Sequence, residues 1–246
     1  PNTDMLALSR QQEWSLLLLQ GKPTEAAAAA RAAATHGHPA SDLLLAVSAA
    51  ESGDADSAQR YLDHTKPGYE TVGRWFDALW LRLRARLATL TGDAELAEQT
   101  RAELTALPTA WLLAFGDAVH GPISFWTAVI DTVFGRWDDA TAGFTEARRL
   151  AETMDSLPWV AHSQQALAEL LVRRGHSDDR AEAARLSEQV RDSAANLDMA
   201  GLLDRVEQLQ SALGQAPAPP PAPTSADSVD LIQEDNTRRI FLRLLK

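Results

Sequence analysis

Five glycine-centred corners limit what this chain can fold into. Gly21, Gly53, Gly92 and Gly135 are each followed five residues later by an alanine, namely Ala26, Ala58, Ala97 and Ala140. Gly175 is followed by Ala181, with one extra residue in the turn. Successive corners stand 32, 39, 43 and 40 residues apart, a degenerate repeat in the range of helix-pair solenoids. Glycine ends a helix in the left-handed cap conformation without a Cβ penalty. After Gly135, the residues Ala140, Phe144 and Ala147 fall on one face of the next helix. A small, a large and a small residue let that helix lie close against its partner.

The residues between the corners read as helices. The first pair spans 4–20 and 25–35, the second 41–52 and 55–64, ended by Pro67-Gly68. The third carries Val72, Phe76, Leu79, Leu83, Leu87 and Leu90 at helical spacing, then turns at Gly92-Asp93 into 95–107. Residues 109–120 break the pattern and read as a short irregular helix and loop. Gly121-Pro122 opens the fourth pair, with Ile123, Trp126, Ile130 and Phe134 as its buried stripe. The fifth pair is 159–174 and 178–197. Met199, Leu202, Val206, Leu209 and Leu213 then form a helix placed to cap the stack. Strands are not expected, because β-branched runs are missing. Three regions result: helical repeats over 1–213, a proline-rich linker over 214–228, and an amphipathic helix over 229–246 that needs something to pack on.

Composition narrows the function classes. A net charge of −11 argues against a whole-surface nucleic-acid or acidic-membrane binder. The absence of cysteine removes thiolate chemistry and fits a reducing cytoplasm. Asp117, His120, Pro122 and Asp131 interrupt the most apolar window and make it a poor membrane span. No secretory signal is expected, and the opening on Pro1 suggests a piece of something longer. Phosphate-loop, dinucleotide, zincin and nucleophile-elbow patterns do not occur, so no catalytic residue, metal or cofactor is assigned.

The candidate binding residues are Trp75, Arg82, Arg86, Trp126, Asp131, His162, Gln165 and Glu169. The seven tryptophans are the least ordinary feature, and Trp75, Trp80, Trp111, Trp126 and Trp159 lie on or near first helices of pairs. Those helices line the concave side of a helix-pair solenoid. An indole there stacks on a sugar or anchors an interface, with ordinary core packing as the simpler account. Arg82 and Arg86 share a helix face, as a phosphate patch or, more simply, a solvated surface. His162, Gln165, Glu169 and Arg173 form a polar stripe that faces either solvent or a groove. His36 and His38 read as solvated loop residues. Asp138-Asp139 and Asp178-Asp179 read as first-turn acids at the positive end of a helix dipole.

Gly121-Pro122 to Trp126, the run Gly135-Arg136-Trp137-Asp138-Asp139-Ala140, Phe144, Ala147, and Pro158-Trp159 with Gln165, Ala168, Leu171 and Gly175 resemble tetratricopeptide-type repeats. They are similar to the C-terminal helical region of large bacterial signal-transduction ATPases and LuxR-type, maltose-regulator-like activators. The resemblance implies an all-α, right-handed superhelical solenoid of about five antiparallel pairs that senses an inducer or partner and restrains a nucleotide-binding module outside this chain. Leu242 to Leu245 is faintly like the start of a LuxR-type DNA-binding domain. The expected function is therefore a non-catalytic protein- or peptide-binding scaffold, with partners that include other modules of the same protein. The alternative is a sensor that stacks a sugar-like inducer on concave tryptophans.

Overall fold

The computed structural model describes the backbone of residues 3–72, 76–114 and 119–214. It is mostly helical. In chain order the elements are α1 (Thr3–Leu19), α2 (Pro23–Thr35), α3 (Ser41–Glu51), α4 (Ala55–Val72), α5 (Asp77–Thr91), α6 (Ala94–Thr105), β1 (Trp111–Leu113), β2 (Val119–Pro122), α7 (Ile123–Val133), α8 (Trp137–Thr153), α9 (Leu157–Arg174), α10 (Asp179–Asn196) and α11 (Ala200–Gly214). The linker and the C-terminal helix expected over 214–246 lie, past Gly214, outside the described residues.

All five corner glycines take positive φ, from 71° at Gly92 to 82° at Gly53. Two corners are Gly-Asp, and there the aspartate caps the next helix. Asp54 accepts from the Ser57 N–H at 3.0 Å and Asp93 from the Leu96 N–H at 3.0 Å. Ala26, Ala58, Ala97 and Ala140 are fully buried where each second helix meets its partner. At the fifth corner the buried alanine is Ala183, while Ala181 is exposed. The longer turn delays the start of α10 to Asp179 and moves the contact face with it.

Three local expectations change. Helix α4 runs through Pro67-Gly68 to Val72, since a proline inside a helix removes one backbone bond and need not end it; Val72 therefore belongs to α4, and the next helix starts only at Asp77. In place of a helix, β1 and β2 form a small antiparallel pair, with Trp111 opposite Pro122 and Leu113 opposite Val119. Three apolar residues after Pro108 are too few for a helix. Pairing satisfies their backbone while Leu112 enters the core. His38 is buried, not solvated. Its Nδ1 accepts from the Ala40 N–H at 3.2 Å, so Nε2–H donates to Gln11 Oε1 at 2.6 Å, and the ring meets Phe76 edge-on.

The helices pack as two layers. Each helix folds back on its neighbour at a corner, and α1, α3, α5, α7, α9 and α11 also touch in succession. Leu79, Leu83 and Leu87 of α5 join the core shared with α1 to α4, while Ala85 and Ala88 of α5 join Ile130 of α7 in the core shared with α6, α8 and α9. The two ends of this row meet. Gly201 N–H donates to the Gln20 carbonyl at 3.0 Å, and Lys22 pairs with Asp198 at 3.2 Å. The inner helices therefore border a partly open space.

Candidate binding cavity

That space is a cavity of about 520 Å3, walled by α1, α3, α5, β2, α7, α9 and α11. One wall is aromatic. Phe125 sits at its centre, edge-on to Trp126 at 5.2 Å, to Phe144 at 5.5 Å and to Trp159 at 5.4 Å. Both indoles are anchored to β2: Trp126 Nε1 donates to the His120 carbonyl at 2.7 Å and Trp159 Nε1 to the Val119 carbonyl at 3.3 Å. Gly121 makes this fit possible. A Cβ there would stand 2.6 Å from the Trp159 ring, and φ is +101°.

The other walls are charged. Glu51 ends α3, where a carboxylate meets the negative end of the helix dipole. Two guanidiniums compensate. Arg82 Nε donates to Glu51 Oε1 at 2.9 Å, with its Nη2 2.7 Å from the same oxygen, and Arg86 Nε lies 3.1 Å from Oε2. Burial pushes the Glu51 carboxyl up, but Arg86 and Arg82 outweigh it and hold its pKa at about 2. Arg82 also lies over the Trp126 ring at 5.2 Å. Its Nη1 meets His120 Nδ1 at 3.3 Å, which makes that nitrogen the acceptor.

Across the cavity, Arg205 grips Glu169 with both forks, Nε to Oε1 at 3.0 Å and Nη2 to Oε2 at 2.7 Å. Gln165 Nε2 donates to the same Oε1 at 3.0 Å. Burial pushes the Arg205 pKa down, and Glu169 more than restores it, so it stays charged. His162 stands between the two charged groups and bonds through Nε2 to the Leu19 carbonyl at 3.0 Å. Since a carbonyl only accepts, Nε2 carries the proton. Burial first, and then the Arg205 charge, lower the His162 pKa to about 4, so the ring is neutral at pH 7. Arg173 also lines the cavity, with its guanidinium 5.9 Å from the Trp137 ring centre.

Of the residues singled out from the sequence, Arg82, Arg86, Trp126, His162 and Glu169 line this cavity. Gln165 is buried beside it as the Glu169 partner. The simpler account of Arg82 and Arg86 as a solvated face does not hold, since the Glu51 carboxylate draws both inward. Arg84, one step round the helix, instead pairs with Glu103 at 2.6 Å. Asp131 lies elsewhere, buried between Arg101 at 2.8 Å and Arg136 at 2.6 Å. Trp75 lies outside the described residues. Asp179, read as a first-turn acid, is buried and held by both forks of Arg174 at 2.9 and 2.7 Å.

Glu51, Arg205 and His120 did not stand out in the sequence. For Glu51 a signal exists: a glutamate in the last turn before Ser52-Gly53 opposes the dipole and so calls for a cation. Arg205 lies beside the α11 apolar stripe, with no local mark to separate it from a solvated arginine. Among the described residues, no helix is long and apolar enough to cross a membrane. No family model, curated protein or solved structure matches this chain.

Proposed function

We propose that this chain is a non-catalytic sensor domain that holds a small organic molecule in its central cavity. The helices are read as about five antiparallel pairs in a right-handed, tetratricopeptide-type superhelix capped by α11. In that reading the chain serves as the regulatory part of a bacterial signalling ATPase or LuxR-type activator. The observation that carries it is the contact of Gly21 with Gly201, which joins the two ends of the inner row and walls one side of a deep, partly open cavity. A volume of about 520 Å3 suits a small ligand, whereas an extended peptide needs an open groove. Trp126 and Trp159 on one wall and ionic side chains on the others supply the mixture of apolar body and polar handles that such sites use.

Thermal-shift screening of the chain against a metabolite set tests this reading. A true ligand raises Tm and changes indole fluorescence, and the fluorescence response shrinks in Trp159→Phe. Turnover of the bound compound would refute the non-catalytic part. A screen in which nothing raises Tm would refute the cavity.

A protein partner is the second reading, and one observation favours it. Met154 and Leu157 flank the α8–α9 corner at 65% and 59% exposure, an apolar pair facing outward. A docked module of the same protein would cover them. Met154→Glu would then weaken the complex in native mass spectrometry and leave small-molecule binding unchanged.

A further inference from the structure

We propose that the molecule held in the cavity is a small organic anion whose carboxylate or phosphate group docks on Arg86, with Arg82 behind it. This rests on the cavity reading and specifies its ligand class.

The charge pattern carries the argument. Three carboxylates line the chamber, and the two buried deepest in its ionic walls, Glu51 and Glu169, are already committed. Glu51 takes both Arg82 contacts on Oε1 and faces Arg86 with Oε2, and Glu169 takes Arg205 on both oxygens and Gln165 on one. A cationic ligand would find only Asp204, exposed on α11, as an acceptor. The α3–α5 wall, by contrast, sets two guanidiniums against the single Glu51. Arg86 Nε is buried and, although 3.1 Å from Glu51 Oε2, is angled so that it makes no hydrogen bond. A buried ionic donor without an acceptor is costly, and an oxyanion entering the chamber supplies one.

The rest of the surroundings agree. The chain carries a net charge of −11, so its outer surface repels anions while this recessed wall attracts them. In such a low-dielectric place an ionic hydrogen bond is stronger than at the surface. The guanidinium fork matches the planar oxygens of a carboxylate or the edge of a phosphate. The Phe125–Trp159 wall is left for the apolar body of the ligand.

Matched pairs test the idea on the whole chain: benzoate against benzamide for a carboxylate, and glucose 6-phosphate against glucose for a phosphate. Calorimetry and indole fluorescence are read for each. The anionic member of at least one pair binds about tenfold tighter, its affinity falls with added salt, and Arg86→Gln removes the difference. Arg84→Gln, on the side of the same helix that meets Glu103 of α6, keeps it. Whichever pair shows the preference identifies the oxyanion. Equal binding of both members overturns the anion proposal and leaves the cavity reading intact. A preference that survives Arg86→Gln overturns the assignment to Arg86. No binding by any of the four compounds up to about 10 mM overturns both readings. Should Arg86→Gln fail to fold, Arg86→Lys keeps the charge without the fork, and the comparison on the unaltered chain decides alone.

Discussion

Gly201 has a contact that no other residue type allows. A Cβ there would stand 2.1 Å from the Gly21 carbonyl oxygen, and one on Gly21 would stand 2.8 Å from Gly201 Cα. Gly201→Ala should therefore force two backbones apart and cost about 1–3 kcal/mol, read from urea unfolding. Gly214→Ala, with nothing within 4 Å of its Cβ, is the control and should be neutral or slightly stabilising. Glu51 supports a second prediction. Glu51→Gln leaves Arg82 and Arg86 without their carboxylate and should cost about 3 kcal/mol. It also removes the competitor for an entering oxyanion, so benzoate or glucose 6-phosphate should bind more tightly to this less stable variant. Acid adds a third. The His162 pKa is about 4 when folded and 6.5 in the unfolded reference, so the unfolded chain takes up the proton first as pH falls. Stability present above pH 6.5 is lost down to pH 4, with a slope of up to ~1.4 kcal/mol per pH unit. Glu51, whose pKa falls from 4.5 to about 2 on folding, extends the loss below pH 4.5. His162→Gln should flatten the upper part of that profile and leave the lower part, as denaturation curves across pH would show.

At the scale of elements, close approach competes with intrinsic propensity. Gly143 lies inside α8, where alanine would favour the helix by ~1 kcal/mol. Its Cβ, however, would meet Ala128 Cβ at 2.8 Å and the Ser124 carbonyl at 3.0 Å on α7. Packing wins, and Gly143→Ala should destabilise by about 1–3 kcal/mol, with a matching drop in Tm. The pair of β1 and β2 follows the same logic. Two strands are marginal alone, and here β2 is held by indoles from α7 and α9 that bond to its carbonyls. The pair thus belongs to the cavity wall as much as to its own ladder, which explains why its local sequence is a poor guide to it.

For the whole molecule, closure is the property that matters. The contacts of the α1–α2 corner with the start of α11 and with α9 join residues that lie far apart in sequence, through Gly201 to Gln20, Lys22 to Asp198 and His162 of α9 to Leu19. Few bonds hold this seam, so it should open before the core does. Hydrogen exchange should show the Gly201 amide exchanging well ahead of amides in α7 and α9, and a bound ligand bridging α5 and α9 should slow it. Equal protection at the seam and in α7 would contradict a weak closing contact.

The helices, their corners and most of their buried faces follow from local physics and were legible in the sequence. A glycine at positive φ, an aspartate cap and apolar residues at helical spacing each act within a few residues, so Gly92-Asp93 or the Leu79–Leu83–Leu87 stripe needs no distant partner to be read. The site was half legible. Periodicity placed Arg82 and Arg86 on one face and His162, Gln165 and Glu169 on another, but period alone does not say whether a polar face looks out or in. Only the tertiary structure decided that, by bringing Glu51 from α3 and Arg205 from α11 against them. It likewise decided that the row of helices closes on itself, because closure depends on the accumulated angle of many packed pairs and on two glycines, Gly21 and Gly201, far apart along the chain.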